Sequence, residues 1–78
     1  MRRSKGEDME IFQLRAGEDF IRLGQVLKAT GMAESGAEAK EVIQEGIVSV
    51  NGEIETRRGR KLHRGDIVSY DGKELEIG

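Results

Sequence analysis

Residues 35–54 read SGAEAKEVIQEGIVSVNGEI, and within this stretch the hydrophobic period changes from that of a helix to that of a strand. Ser35 with Glu38 three residues later is a capping-box pattern, in which the hydroxyl takes up an N–H left free at a helix start. Ala39, Val42 and Ile43 then fall on one side of the helix, and Gly46 closes it. From Gly46 the period is two. Ile47–Val50 and Glu53–Ile54 flank Asn51-Gly52, the dipeptide best suited to the positive φ angles of a type I′ hairpin turn.

Working outward, residues 19–30 (DFIRLGQVLKAT) place Phe20, Leu23, Val26 and Leu27 at helical spacing. Glu18 and Asp19 suit the positive end of that helix, Lys28 suits its last turn, and Gly31 suits a left-handed cap. The link Met32-Ala33-Glu34 is short, so the two helices form a compact pair. Residues 10–14 (EIFQL) predict a short strand, and residues 1–8 (MRRSKGED) a flexible polar segment. Downstream, Ile67–Tyr70 and Lys73–Ile77 flank Asp71-Gly72, a second hairpin signal, with Leu75 and Ile77 facing the core and Glu74 and Glu76 facing water. Phe12 and Phe20 are read as core residues. The expectation is one α+β domain over residues 9–78, with two adjacent helices packed on a small antiparallel sheet built from hairpins.

Seventy-eight residues are near the lower size at which a single core supports folding. The absence of cysteine excludes disulfides, thiolate metal sites and cysteine nucleophiles. No apolar stretch reaches membrane-spanning length, and the start MRRSKGEDME lacks the apolar region of a secretory signal, so a cytoplasmic monomer is expected.

Charge separates along the chain. The 13 Lys and Arg are outnumbered by 15 Asp and Glu, yet Arg57, Arg58, Arg60, Lys61 and Arg64 lie between Glu55 and Asp66 without an intervening acid. Leu62 in the middle of this run, with Ile54 and Ile67 at its edges, gives it an apolar anchor, and Gly59 and Gly65 permit tight turns. Four of the five cations are arginine, which favours forked hydrogen bonds to phosphate or stacking on bases. A solvated loop balancing Glu38, Glu41 and Glu45 is the plain alternative, but like charges held together repel, and a polyanionic partner relieves that repulsion.

Other chemistry is sparse. His63 is the single histidine and has no cysteine or second histidine with which to hold a metal. Ser35 reads as a helix cap because no base is identifiable beside it, and the carboxylates show no spacing for paired acid–base work. No cofactor, metal site or small-molecule substrate is indicated, and the chain reads as a non-enzyme. With Phe12, Phe20 and Tyr70 the only aromatics, extensive base stacking of the kind used by single-strand binders is not expected.

Residues 22–68 resemble the S4-type RNA-binding domain, the S4-like or αL motif. The residues that carry the resemblance are Arg22-Leu23, Gly31, Ser35, Gly46-Ile47-Val48-Ser49-Val50-Asn51-Gly52 and Gly65-Asp66, in that order. The segments Ser35–Lys40 and Glu55–Leu62 are similar to those of small stand-alone bacterial S4-like proteins. Where the family pattern has Asp after Arg-Leu and Arg after Ser, this chain has Gly24 and Gly36. The resemblance implies a surface of helix pair and adjoining loop that contacts structured RNA, such as ribosomal RNA or tRNA. Lys40 is the remaining cation of the second helix, either an RNA contact or a surface lysine among glutamates. Arg22, at the start of the first helix, is either an RNA contact or the structural partner of a nearby acid.

The reading is therefore a non-catalytic RNA-binding module with Arg22, Lys40, Arg57, Arg58, Arg60, Lys61 and Arg64 as its contact residues. The alternative from another class is a protein-interaction module whose basic loop docks on an acidic protein surface.

Overall fold

A computed structural model describes residues 9–78; the expectation for residues 1–8 lies outside the described residues. The chain runs β1 (Met9–Phe12), β2 (Ile21–Arg22), α1 (Leu23–Ala29), α2 (Gly36–Gln44), β3 (Val48–Val50), β4 (Glu53–Ile54), β5 (Lys61–Leu62), β6 (Ile67–Tyr70) and β7 (Lys73–Ile77). One sheet of five strands has the order β1-β7-β6-β3-β4, and β2 and β5 form a separate antiparallel ribbon.

Both expected hairpins form. Asn51 and Gly52 have φ of 53° and 86°, and Asp71 and Gly72 have 55° and 76°, the left-handed pairs that a type I′ turn demands. The sheet is not wholly antiparallel, however. β1 pairs parallel with β7, with Glu10 opposite Leu75 and Phe12 opposite Ile77. A long crossover brings the chain back in the same direction, which hairpin signals alone do not reveal.

The second helix starts as the capping box predicts, with the Glu38 N–H donating to Ser35 Oγ at 3.1 Å. The reciprocal arm reaches one residue further back, as the Glu38 carboxylate accepts from the Glu34 amide. The first helix is shorter than its periodicity suggests, beginning at Leu23 instead of Asp19. Ile21 and Arg22 are drawn into the ribbon, where they pair with Leu62 and Lys61. No side chain caps α1. Instead the Leu23 N–H donates to the Arg60 carbonyl and the Gly24 N–H to the Arg58 carbonyl, each at 2.9 Å. Two of the free donors of the helix start are thus satisfied by the basic loop, and the loop is fixed by the helix start.

Helices of seven and nine residues are marginal alone and depend on their buried faces. Leu23, Val26 and Leu27 of α1 and Ala39, Val42 and Ile43 of α2 close over Val48, Val50, Val68, Leu75 and Ile77 of the sheet in one core. Leu62 joins this core fully buried, which is the anchor expected of it, whereas Ile54 is 68% exposed and anchors nothing.

The turns are cross-linked. Asn51 Nδ2 donates to Asp66 Oδ1 at 3.0 Å, Asn51 Oδ1 accepts from the Ile67 N–H at 2.9 Å, and Asp66 Oδ2 accepts from the His63 N–H at 2.8 Å. Two short motifs of the sequence, Val50-Asn51-Gly52 and Gly65-Asp66, are therefore halves of one hydrogen-bonded clamp that seats the loop between β5 and β6.

Candidate nucleic-acid interface

Residues 55–60 connect β4 to β5 and fold around an acid. Glu55 is 6% exposed. Its carboxylate accepts from Arg57 Nε and from the Arg57 backbone N–H at 2.9 Å, from Arg57 Nη2 at 3.0 Å and from Arg60 Nη1 at 2.8 Å. The hydrogen bonds from Arg57, then those from Arg60, hold its pKa at about 2, below the ordinary 4.5, against the opposing effect of burial. The sequence places Glu55 at the border of the basic run; the fold places it inside. It neutralises one charge and holds two guanidinium groups in fixed planes.

Arg22 Nη1 donates to the Gly59 carbonyl at 2.9 Å, so its partner is the loop backbone and not an acid. Arg22 lines two clefts. One, of about 320 Å³, lies between α1, the start of α2 and the loop, and is lined by Arg22, Lys28 and Arg58 together with Gly24 and Gly36. The other, of about 490 Å³, is lined by Arg22, Arg57, Gly59, Arg60 and Lys61. The Arg58 guanidinium has no hydrogen-bond or ion-pair partner among the described residues. Its stem runs over Gly24, where a Cβ would lie 2.4 Å from Arg58 Cγ. At Gly36 a Cβ would meet nothing within 4 Å. The glycines at 24 and 36, where the family pattern carries Asp and Arg, thus open one cleft, and Arg58 enters it from the loop.

Five of the seven expected contact residues, Arg22, Arg57, Arg58, Arg60 and Lys61, line these clefts. Arg64 does not, because its guanidinium donates to the carbonyls of Glu18 at 3.0 Å and Arg15 at 3.4 Å and ties the loop to the segment before β2. Lys40 is exposed on α2 and lines neither cleft. Lys61, expected in irregular loop, is in strand β5.

Two participants were not expected from the sequence. Lys28 reads there as a helix-end cation, yet Arg22, Gln25 and Lys28 recur every three residues, a polar stripe that faces the first cleft. Phe20 is not a core residue but 36% exposed. Once Ile21 and Arg22 are recognised as strand, alternation turns Ile21 inward and Phe20 and Arg22 outward. Lys61 Nζ stands 4.8 Å and Arg22 Cζ 5.6 Å from the Phe20 ring centroid.

Comparison with known proteins agrees with this architecture. The S4 domain family model matches residues 12–78. A relative in Escherichia coli (strain K12), YbcJ, named as a candidate RNA-binding protein, is 42% identical over 57 residues, 73% of this chain and 81% of its own length. RlbA of Bacillus subtilis (strain 168), named as a candidate ribosome maturation protein, is 46% identical over 54 residues, 69% of this chain and 76% of its own. The solution structure of E. coli YbcJ, described as revealing an αL motif involved in RNA-binding, superposes with a TM-score of 0.68 at 39% identity, covering 88% of this chain and 86% of that one.

Proposed function

The chain belongs to the S4 domain family, and from that membership we propose that it is a non-catalytic RNA-binding protein whose contact surface is the pair of clefts that Arg22 lines. The observation that carries this reading is the convergence of Arg58 from the loop with Arg22 from β2 and Lys28 from α1 around one open cleft. Arg58 is far from Arg22 and Lys28 in sequence and is brought to them by the carbonyl–amide bonds that join the loop to the start of α1. Forked guanidinium groups on a rigid, mostly non-aromatic surface suit the phosphates and shape of folded RNA. The relatives named for RNA binding and for ribosome maturation support a structured RNA, with ribosomal RNA as the proposed target.

The side chains that a hydrolase would recruit serve other ends. Ser35 Oγ caps α2, and the carboxylates of Glu55 and Asp66 accept hydrogen bonds within the loop. Among the described residues no helix is long and apolar enough to cross a membrane.

The test is a titration of a folded RNA hairpin at several salt concentrations. With six cations lining the clefts and Glu55 offsetting one, log affinity should fall against log salt with a slope of roughly −4 to −5. A slope near zero refutes the reading. In cells, crosslinking and sequencing of bound RNA should recover ribosomal RNA; recovery of an acidic protein and no RNA favours a protein-interaction module.

A further inference from the structure

We propose that Phe20 is a stacking platform for an unpaired nucleobase, which extends the interface from the phosphates of a folded RNA to a single-stranded nucleotide leaving it. The proposal rests on the RNA-binding reading and adds to it a ligand and a residue.

The β2–β5 ribbon fixes where this ring stands. Its register sets Ile21 opposite Leu62 and Arg22 opposite Lys61. Leu62 is fully buried and Ile21 is packed against the core, so the inner face of the ribbon is held. Alternation then commits Phe20, Arg22, Lys61 and His63 to the outer face. The ring of His63 comes 6.3 Å from that of Phe20, centroid to centroid, at 54°. One aromatic ring thus lies partly exposed on the outer face, with Lys61 and Arg22 over it and His63 at its side.

The core is closed by Leu62 and its neighbours without Phe20, and the ring packs outside it, 36% exposed. Its surroundings fit a nucleotide. A base has a π-face that stacks on any aromatic ring whatever its sequence, and the cations that stand over the Phe20 ring, displaced from it by the base, meet the flanking phosphates. Arg22 is already steadied by the Gly59 carbonyl, so its charge is in place before a ligand arrives. Arg22 and Lys61 also line the larger cleft, which makes the ring continuous with the phosphate-binding surface. A strand emerging from RNA seated in that cleft passes over Phe20.

The competing account is that Phe20 only steadies the cations through their attraction to its ring. The two accounts separate when the bases are removed and the phosphates kept. The probes are an RNA hairpin with a short single-stranded adenosine tail and the same hairpin with an abasic tail. Wild-type protein should bind the adenosine-tailed hairpin about tenfold more tightly than the abasic one. Phe20→Leu should abolish this difference, the loss falling mainly on the adenosine-tailed hairpin. Phe20→Trp should preserve it; the chain has no other tryptophan, so the new fluorescence should be quenched by the adenosine tail and not by the abasic tail. Equal binding of both hairpins by wild type overturns the proposal while leaving the RNA-binding reading intact. An equal loss on both hairpins in Phe20→Leu also overturns it, in favour of a ring that only steadies the cations. If wild type binds neither hairpin, the RNA-binding reading falls and this proposal falls with it.

Discussion

Arg60 donates to Glu55 at 2.8 Å across five residues, so the positive surface is built around a negative charge. The carboxyl is held at about 2 in the fold, against an ordinary 4.5. A depressed carboxyl stabilises the fold fully above its unfolded pKa and loses that contribution as pH falls through its folded one. Asp66 acts in the same direction: burial raises its pKa, but bonds from His63 and Asn51 outweigh that and leave it lowered. The melting temperature should therefore be level above about pH 5 and fall progressively between about pH 4.5 and 2. Glu55→Gln should lower stability at neutral pH by about 1–3 kcal/mol and make the acid fall shallower, as followed by circular dichroism.

The loop cations should not respond alike to charge reversal. The Arg58 guanidinium has no partner to lose among the described residues, so Arg58→Glu should weaken RNA binding at least tenfold while the melting temperature moves little. Arg57→Glu should cost both affinity and stability, because it sets a second carboxylate beside buried Glu55. Lys40→Glu, outside both clefts, should change affinity least. Melts and salt-controlled titrations on the same proteins give the ranking; an unaltered affinity in Arg58→Glu contradicts the interface.

The cleft also admits a gain of function. Gly36 opens α2, has ordinary backbone geometry and leaves space where a Cβ would stand. Gly36→Arg should place a guanidinium beside Lys28 and Arg58, tighten RNA binding severalfold and steepen the salt slope by about one. No change in slope means that RNA does not approach this end of α2.

Leu62→Ala should act through the fold. The side chain is fully buried, so its loss should cost about 2–5 kcal/mol. RNA affinity should fall only as the ribbon loosens and recover toward wild type at low temperature. Unchanged stability in a thermal melt would show that the loop is not anchored there.

How far the sequence discloses this arrangement depends on the range of each interaction. Ser35, Gly46, Asn51-Gly52 and Asp71-Gly72 act on neighbours a few residues away, and their signals are local. Leu62 is legible as an anchor because a leucine alone in a run of cations gains nothing from facing water. The ribbon is not legible. Two residues at positions 21 and 22 pair with two at 61 and 62, and elements so short leave no periodicity. Without the ribbon, helical spacing extends α1 backwards by four residues and sends Phe20 into the core. Glu55 is hidden for a related reason: charge counted along the chain does not reveal which way an acid points. Arg64 shows the converse, a member of the cluster by sequence that the fold assigns to the Arg15 and Glu18 carbonyls.

The parallel pairing of β1 with β7 bears on how the protein is made. Met9 lies opposite Glu74, so on the ribosome the first of these strands emerges roughly 3–13 seconds before its sheet neighbour exists, at ordinary rates of synthesis. The core that holds the helix pair closes on Val68, Leu75 and Ile77, and the clamp on the loop needs Asp66 and Ile67, so the charged surface too is completed only when the last two strands have been made.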